Sequence, residues 1–173
     1  MGDLTELAER WRADLAGWAI PAHITAAVGE SPWVLPRQVF ARRADRLAAE
    51  PDGPSYARAQ AALKPSGELM DVGSGAVDVV TCHHVLYNAP DPVPFLAALT
   101  AHARRRVVVE TAARHPLTAL NPLWLRFHGL ARPADPTADD LVAICDAMGL
   151  PARHEAWTRP GGPDDSCRAR RPR

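Results

Sequence analysis

Residues 68–81 read Glu-Leu-Met-Asp-Val-Gly-Ser-Gly-Ala-Val-Asp-Val-Val-Thr. The apolar start predicts a buried strand over 68–72, and Asp71-Val72-Gly73-Ser74-Gly75 predicts a glycine turn at its end. Val77 to Cys82 then reads as a second strand. Only residues 73–76 lie between the two strands. A crossover between parallel neighbours takes a dozen or more residues. The expectation is therefore a tight turn with antiparallel pairing, or one long bent strand running through 73–75.

Upstream the chain reads as helical. Leu4, Leu7, Ala8, Trp11, Leu15 and Trp18 fall at helical spacing and form one apolar stripe. Asp3 and Glu6 resemble a capping pair, and Ile20-Pro21 ends the helix. Pro36 opens a second helix over 36–50, because proline is tolerated in a first turn. A third, short helix covers 55–63. Residues 1–66 thus read as a helical lead-in or cap, residues 67–159 as an α/β core, and residues 160–173 as a disordered tail rich in Gly, Pro, Asp and Arg.

Downstream, Asp91-Pro92 starts a helix with Phe95, Leu96 and Leu99 on its inner face. Arg104-Arg105-Arg106 reads as a helix-end cluster favoured by the helix dipole. The Val107-Val108-Val109 run predicts a strand over 106–110 covered on both faces. Residues 121–136 read as an irregular surface segment. Thr137 and Asp140 form an N-cap pair for a last helix with Leu141, Ile144 and Met148 inside and Gly149 as its stop. A further strand is expected over 152–157. Strands alternating with helices argue for an α/β sheet, with its ligand site at the carboxyl ends of the strands.

Hydrophobic residues make up 47% and charged residues 23% of the 173-residue chain, within the range of an ordinary globular protein. Formal net charge is zero, so bulk electrostatics predict no nucleic-acid partner. No apolar run reaches membrane-spanning length, and Asp3 and Glu6 do not suit a signal peptide. Cys82, Cys145 and Cys167 are odd in number and widely spaced, which predicts a reducing, cytoplasmic setting.

The ordered segments resemble those of class I S-adenosylmethionine-dependent methyltransferases. ELMDVGSG is similar to that family's first motif, and DVVTCHHVLYNAPDP to its fourth strand and exit loop. FLAALTAHARRRVVVE resembles the following helix and fifth strand, and TADDLVAICDAMGL the late helix. The resemblance spans roughly residues 67–157. It implies an incomplete Rossmann-like methyltransferase sheet with an N-terminal helical cap, acting on a small-molecule methyl acceptor by transfer to an O, N or C nucleophile. It further implies that peptide units at Gly73 and Gly75 approach the amino-acid part of S-adenosylmethionine and that Asp71 holds its ammonium. Cys82, His83 and His84 would border the sulfonium and the substrate pocket. The family pattern also includes a third glycine near Val77, a second strand ending in the acid that binds the ribose, and a third strand with an adenine loop. This chain has none of these. Cofactor binding is therefore expected to be weak or lost. The alternative is a non-catalytic interaction protein, or a decayed remnant, that self-associates through an exposed sheet edge.

Among the residues themselves, His84 and Tyr87 are the polar groups best placed for general-base or positioning work, since histidine titrates near neutrality. His115, Trp124 and His128 lie beyond the 106–110 strand, where the resemblance implies a substrate pocket. The Cys82-His83-His84 run is not a metal site, because adjacent side chains on an extended segment point to opposite sides and four suitably spaced ligands are lacking.

Overall fold

The computed structural model describes residues 3–28, 41, 45, 54–63, 67, 69–71 and 76–158. In chain order the described elements are α1 (Leu4–Ala16), the single turn α2 (Ala22–Thr25), α3 (Pro54–Leu63), β1 (Leu69–Asp71), β2 (Val77–His83), a 3-10 turn (Leu86–Asn88), α4 (Pro92–His102), β3 (Ala103–Glu110), a second 3-10 turn (Pro116–Leu120), α5 (Asn121–His128) and α6 (Ala138–Ala147). The helix read at 36–50 lies almost wholly outside the described residues, as does the tail.

The protein is mixed α/β, and its three described strands form one sheet in the order β1-β2-β3. Both pairings are parallel. This corrects the antiparallel or bent-strand expectation for β1 and β2. Asp71 pairs with Thr81, so the chain must return four residues to begin β2 at Val77. That return is about 13 Å along the strand and about 5 Å across to the neighbour. The six Cα steps from Asp71 to Val77 reach about 20 Å. The dozen-residue rule describes crossovers that carry a helix over the sheet, whereas simple closure needs less chain. The β2–β3 connection does carry a helix, α4.

β2 is the central strand. Val79, Val80, Thr81 and Cys82 are buried in succession. Successive strand residues face opposite sides, so both faces are covered. α3 and α4 both pack on β2 and β3. β3, expected to be covered on both faces, is an outer strand of the described sheet, and Val107, Val108 and Val109 are only partly buried. The arginine cluster is also corrected. α4 ends at His102, Ala103 is already extended, and Arg104 to Arg106 begin β3. The Asp78 carboxylate, beside an irregularity in the β2 register, lies 3.4 Å from Arg105 and 3.9 Å from Arg104.

A second correction concerns residues 121–136: α5 takes 121–128, while 129–136 is irregular as expected. Pro122 stands in the first turn of that helix, where its missing N–H costs nothing. Gly129, at φ +65°, ends it. No strand forms over 152–157: these residues are exposed and lie beside no partner strand.

The main apolar cluster joins α1, α4 and α6. Leu7 and Trp11 meet Leu86, Ala89, Leu96, Leu141 and Ile144. α1 is capped by Asp3, whose carboxylate accepts from the Thr5 N–H. It ends at Gly17, before Ile20-Pro21, so Trp18 leaves the helix. α6 carries the expected capping box: the Thr137 hydroxyl accepts from the Asp140 N–H, and the Asp140 carboxylate accepts from the Thr137 N–H at 2.9 Å. The indole Nε1 of buried Trp11 donates to the Ala89 carbonyl at 3.0 Å. Trp11→Phe keeps most of the ring volume but strips that buried carbonyl of its donor. It should cost about 1–3 kcal/mol, whereas Trp11→Ala should cost about 3–5 kcal/mol. Urea unfolding would check both, and equal midpoints for the wild type and Trp11→Phe would remove this bond from the account.

Candidate functional site

Because β2 and β3 are parallel, their carboxyl ends meet at one edge of the sheet, with His83 in register with Glu110. His84 follows β2 at φ +56°, and its N–H donates to the Glu110 carbonyl at 2.8 Å. A non-glycine residue at positive φ costs about 1–3 kcal/mol and persists only where its surroundings hold it. Here the holding group is Glu110. One of its carboxylate oxygens lies 3.2 Å from His84 Nε2 and the other accepts from the Ser55 hydroxyl in the first turn of α3. The Glu110 side chain is mostly buried and that of His84 about one-third exposed. Cys82 is buried in β2. The Nε2 of His83 is buried and has no hydrogen-bond partner among the described residues.

Past Glu110 the chain meets Tyr87. The Tyr87 hydroxyl accepts from the Thr111 hydroxyl at 2.8 Å and from the Ala112 N–H. Its ring lies edge-on to His115, with centroids 5.2 Å apart. His115 in turn stacks on Trp18, with centroids 3.9 Å apart and planes 15° from parallel. Trp18 is fixed by its Nε1, which donates to the Asp135 carbonyl. The Arg132 guanidinium lies 5.8 Å from the Trp18 ring and 4.9 Å from that of Trp124, and donates to the Trp18 and Ala19 carbonyls.

Two hollows flank this series. An open cleft of about 440 Å³ is lined by Trp18, Tyr87, Asn88, His115, Pro116 and Leu117. A smaller hollow of about 160 Å³ lies along α5, between Leu120, Leu123, Trp124, Phe127 and His128. His115 therefore lines one hollow, and Trp124 with His128, whose rings are 5.1 Å apart, lines the other. His84, Tyr87 and His115 belong to one continuous carboxyl-edge neighbourhood. β1 ends at Asp71 at the same end of the sheet, but its side chain, like Gly73 and Gly75, lies outside what is described. Sequence reading missed Ser55, Glu110 and Trp18 as members. Only Glu110, a lone acid closing an apolar strand, carried a local signal. Among the described residues, no group of three or more His, Cys, Asp or Glu side chains gathers to hold an ion. No described helix is long and apolar enough to cross a membrane. No protein-family model, curated protein or solved structure matches the chain.

His115 is 8% exposed. Burial, and secondarily the Arg132 charge, lower its pKa from the ordinary 6.5. Its Nδ1 accepts from the Leu117 N–H at 3.3 Å, which sets the neutral tautomer with the proton on Nε2. The unfolded chain thus takes up this proton at higher pH than the folded one. Stability should be fully present above about pH 6.5 and fall as pH drops through the lowered value. Thermal melting between about pH 7.5 and pH 5.5 should show this slope, and His115→Phe should flatten it. A His115→Phe profile parallel to the wild type would show that another group sets the slope.

Proposed function

We propose that this chain is an S-adenosylmethionine-dependent methyltransferase-like protein of Rossmann-like descent, built to place a small-molecule acceptor at the carboxyl edge of its sheet. The observation that carries the reading is the parallel order β1-β2-β3. By resemblance these strands correspond to the first, fourth and fifth of the family. In the Rossmann order 3-2-1-4-5-6 those three are neighbours, while strands two and three lie outside the first. Excising the outer pair leaves the remaining sheet continuous and parallel, as observed here. The same order puts the ligand crevice where the first strand meets the fourth, the edge at which His83 and His84 emerge. On this reading His84, held by Glu110, and Tyr87 orient the acceptor, and alignment of a nucleophile with the sulfonium methyl does most of the work.

The ribose acid and adenine loop are missing from the sequence. Each charge-assisted hydrogen bond lost weakens binding by about 1.5–3 kcal/mol, so two lost bonds imply about a hundredfold or more. Calorimetric and NMR titration with S-adenosylhomocysteine should give saturable binding near about millimolar. Micromolar binding would contradict the weakened site, and no saturable binding would favour a non-catalytic role.

That second reading has its own support. Leu123 and Phe127, one turn apart on α5, are 50% and 70% exposed, an apolar surface of the kind that marks interaction sites. Both β1 and β3 are outer strands of the described sheet. Sedimentation velocity over a range of concentrations should reveal self-association that Phe127→Ser weakens. A monomer at all concentrations would remove this support.

A further inference from the structure

We propose that the cleft at Trp18, Tyr87 and His115 binds a small planar aromatic molecule carrying an anionic oxygen, a phenolate or an aromatic carboxylate. The volume of about 440 Å³ falls within the range of small-molecule sites. Its wall is mostly aromatic and apolar, lined by Trp18, Tyr87, Pro116 and Leu117, with one face of Trp18 covered by His115. Flat rings pack on such a wall by offset or edge-to-face contact. Few polar groups interrupt it: the Tyr87 hydroxyl, the Asn88 amide and the His115 ring. Since His115 Nδ1 already accepts from Leu117, its Nε2 carries the proton. Among the described residues that N–H has no acceptor, and the ring borders the cleft. It is a donor waiting for an oxygen.

The electrostatics select the charge. Arg132, packed over Trp18, is the charged group whose field reaches the His115 ring. Its positive sign disfavours a second cation there and favours an anion. Asn88, exposed at the mouth, can donate a second hydrogen bond from its amide. Trp124 and His128 line the other hollow and take no part. That the ligand is the methyl acceptor rests on the reading above, whereas its binding does not.

The test therefore omits the cofactor. The full chain is titrated with 4-hydroxybenzoate, followed by tryptophan fluorescence and NMR shifts. Saturable binding at about millimolar or tighter is expected. His115→Phe keeps an aromatic ring against Trp18 but loses the N–H, and should weaken binding about tenfold. Asn88→Asp, an exposed change that threatens folding little, puts a negative charge at the mouth and should weaken it several-fold. Leu125→Ser, on the exposed face of α5, should bind as the wild type does. Benzylammonium should bind at least about tenfold more weakly than 4-hydroxybenzoate. The proposal is overturned by no saturation up to about 10 mM, by equal affinities in wild type and both cleft variants, or by equal binding of the cation. Binding of 4-hydroxybenzoate without any binding of S-adenosylhomocysteine would keep the cleft and remove the methyltransferase reading. The converse would do the reverse.

Discussion

Val79, Val80, Thr81 and Cys82 are buried one after another, which is possible only if β2 has a strand on each side and a layer on each face. Most other features of the molecule follow from that demand. β1 and β3 supply the strands, and α3 and α4 lie against the sheet. Parallel pairing then brings the carboxyl ends together, so residues distant in sequence become neighbours there. Ser55 and Glu110 meet across 55 positions because α3 and β3 must both reach β2. The strained backbone of His84 is held within this arrangement, with Glu110 engaging it through both its carbonyl and its carboxylate.

Elements whose signals are local were legible from the residues. The apolar stripe of α1, the Asp91-Pro92 start of α4, the Thr137–Asp140 capping box and the Gly149 stop each depend on a few adjacent positions. Misreadings arose where tertiary partners decide. Arg104 to Arg106 carry no strand propensity, yet β2 pairing and the Asp78 carboxylate draw them into β3. Residues 152–157 have no neighbouring strand among the described residues, and a strand without a neighbour does not form. Val107 to Val109 look like an interior run, while β3 is an outer strand of the described sheet.

The site was legible in a similar proportion. His84, Tyr87 and His115 were picked out by residue type and position, and they do share the carboxyl edge. Their partners were not, because Glu110 holding His84 and Trp18 stacking on His115 are contacts between elements far apart in sequence. Trp124 and His128 seemed companions of His115, but they line a separate hollow, with the Arg132 guanidinium close to both tryptophan rings.

The packing of α1 has a consequence for how the chain is made. Its buried stripe lies on α6 as well as α4, and Arg10 pairs with Asp140, 130 residues later. Synthesis at about 5–20 residues per second separates the two by roughly 6–26 s. α1 thus finds part of its seat on α4 first, and the rest only once α6 has been made. Contacts of such long range also make folding slow relative to chains whose neighbours are local. During that interval part of the Leu7 and Trp11 face stays open to solvent or to a chaperone, until Leu141 and Ile144 of α6 close it.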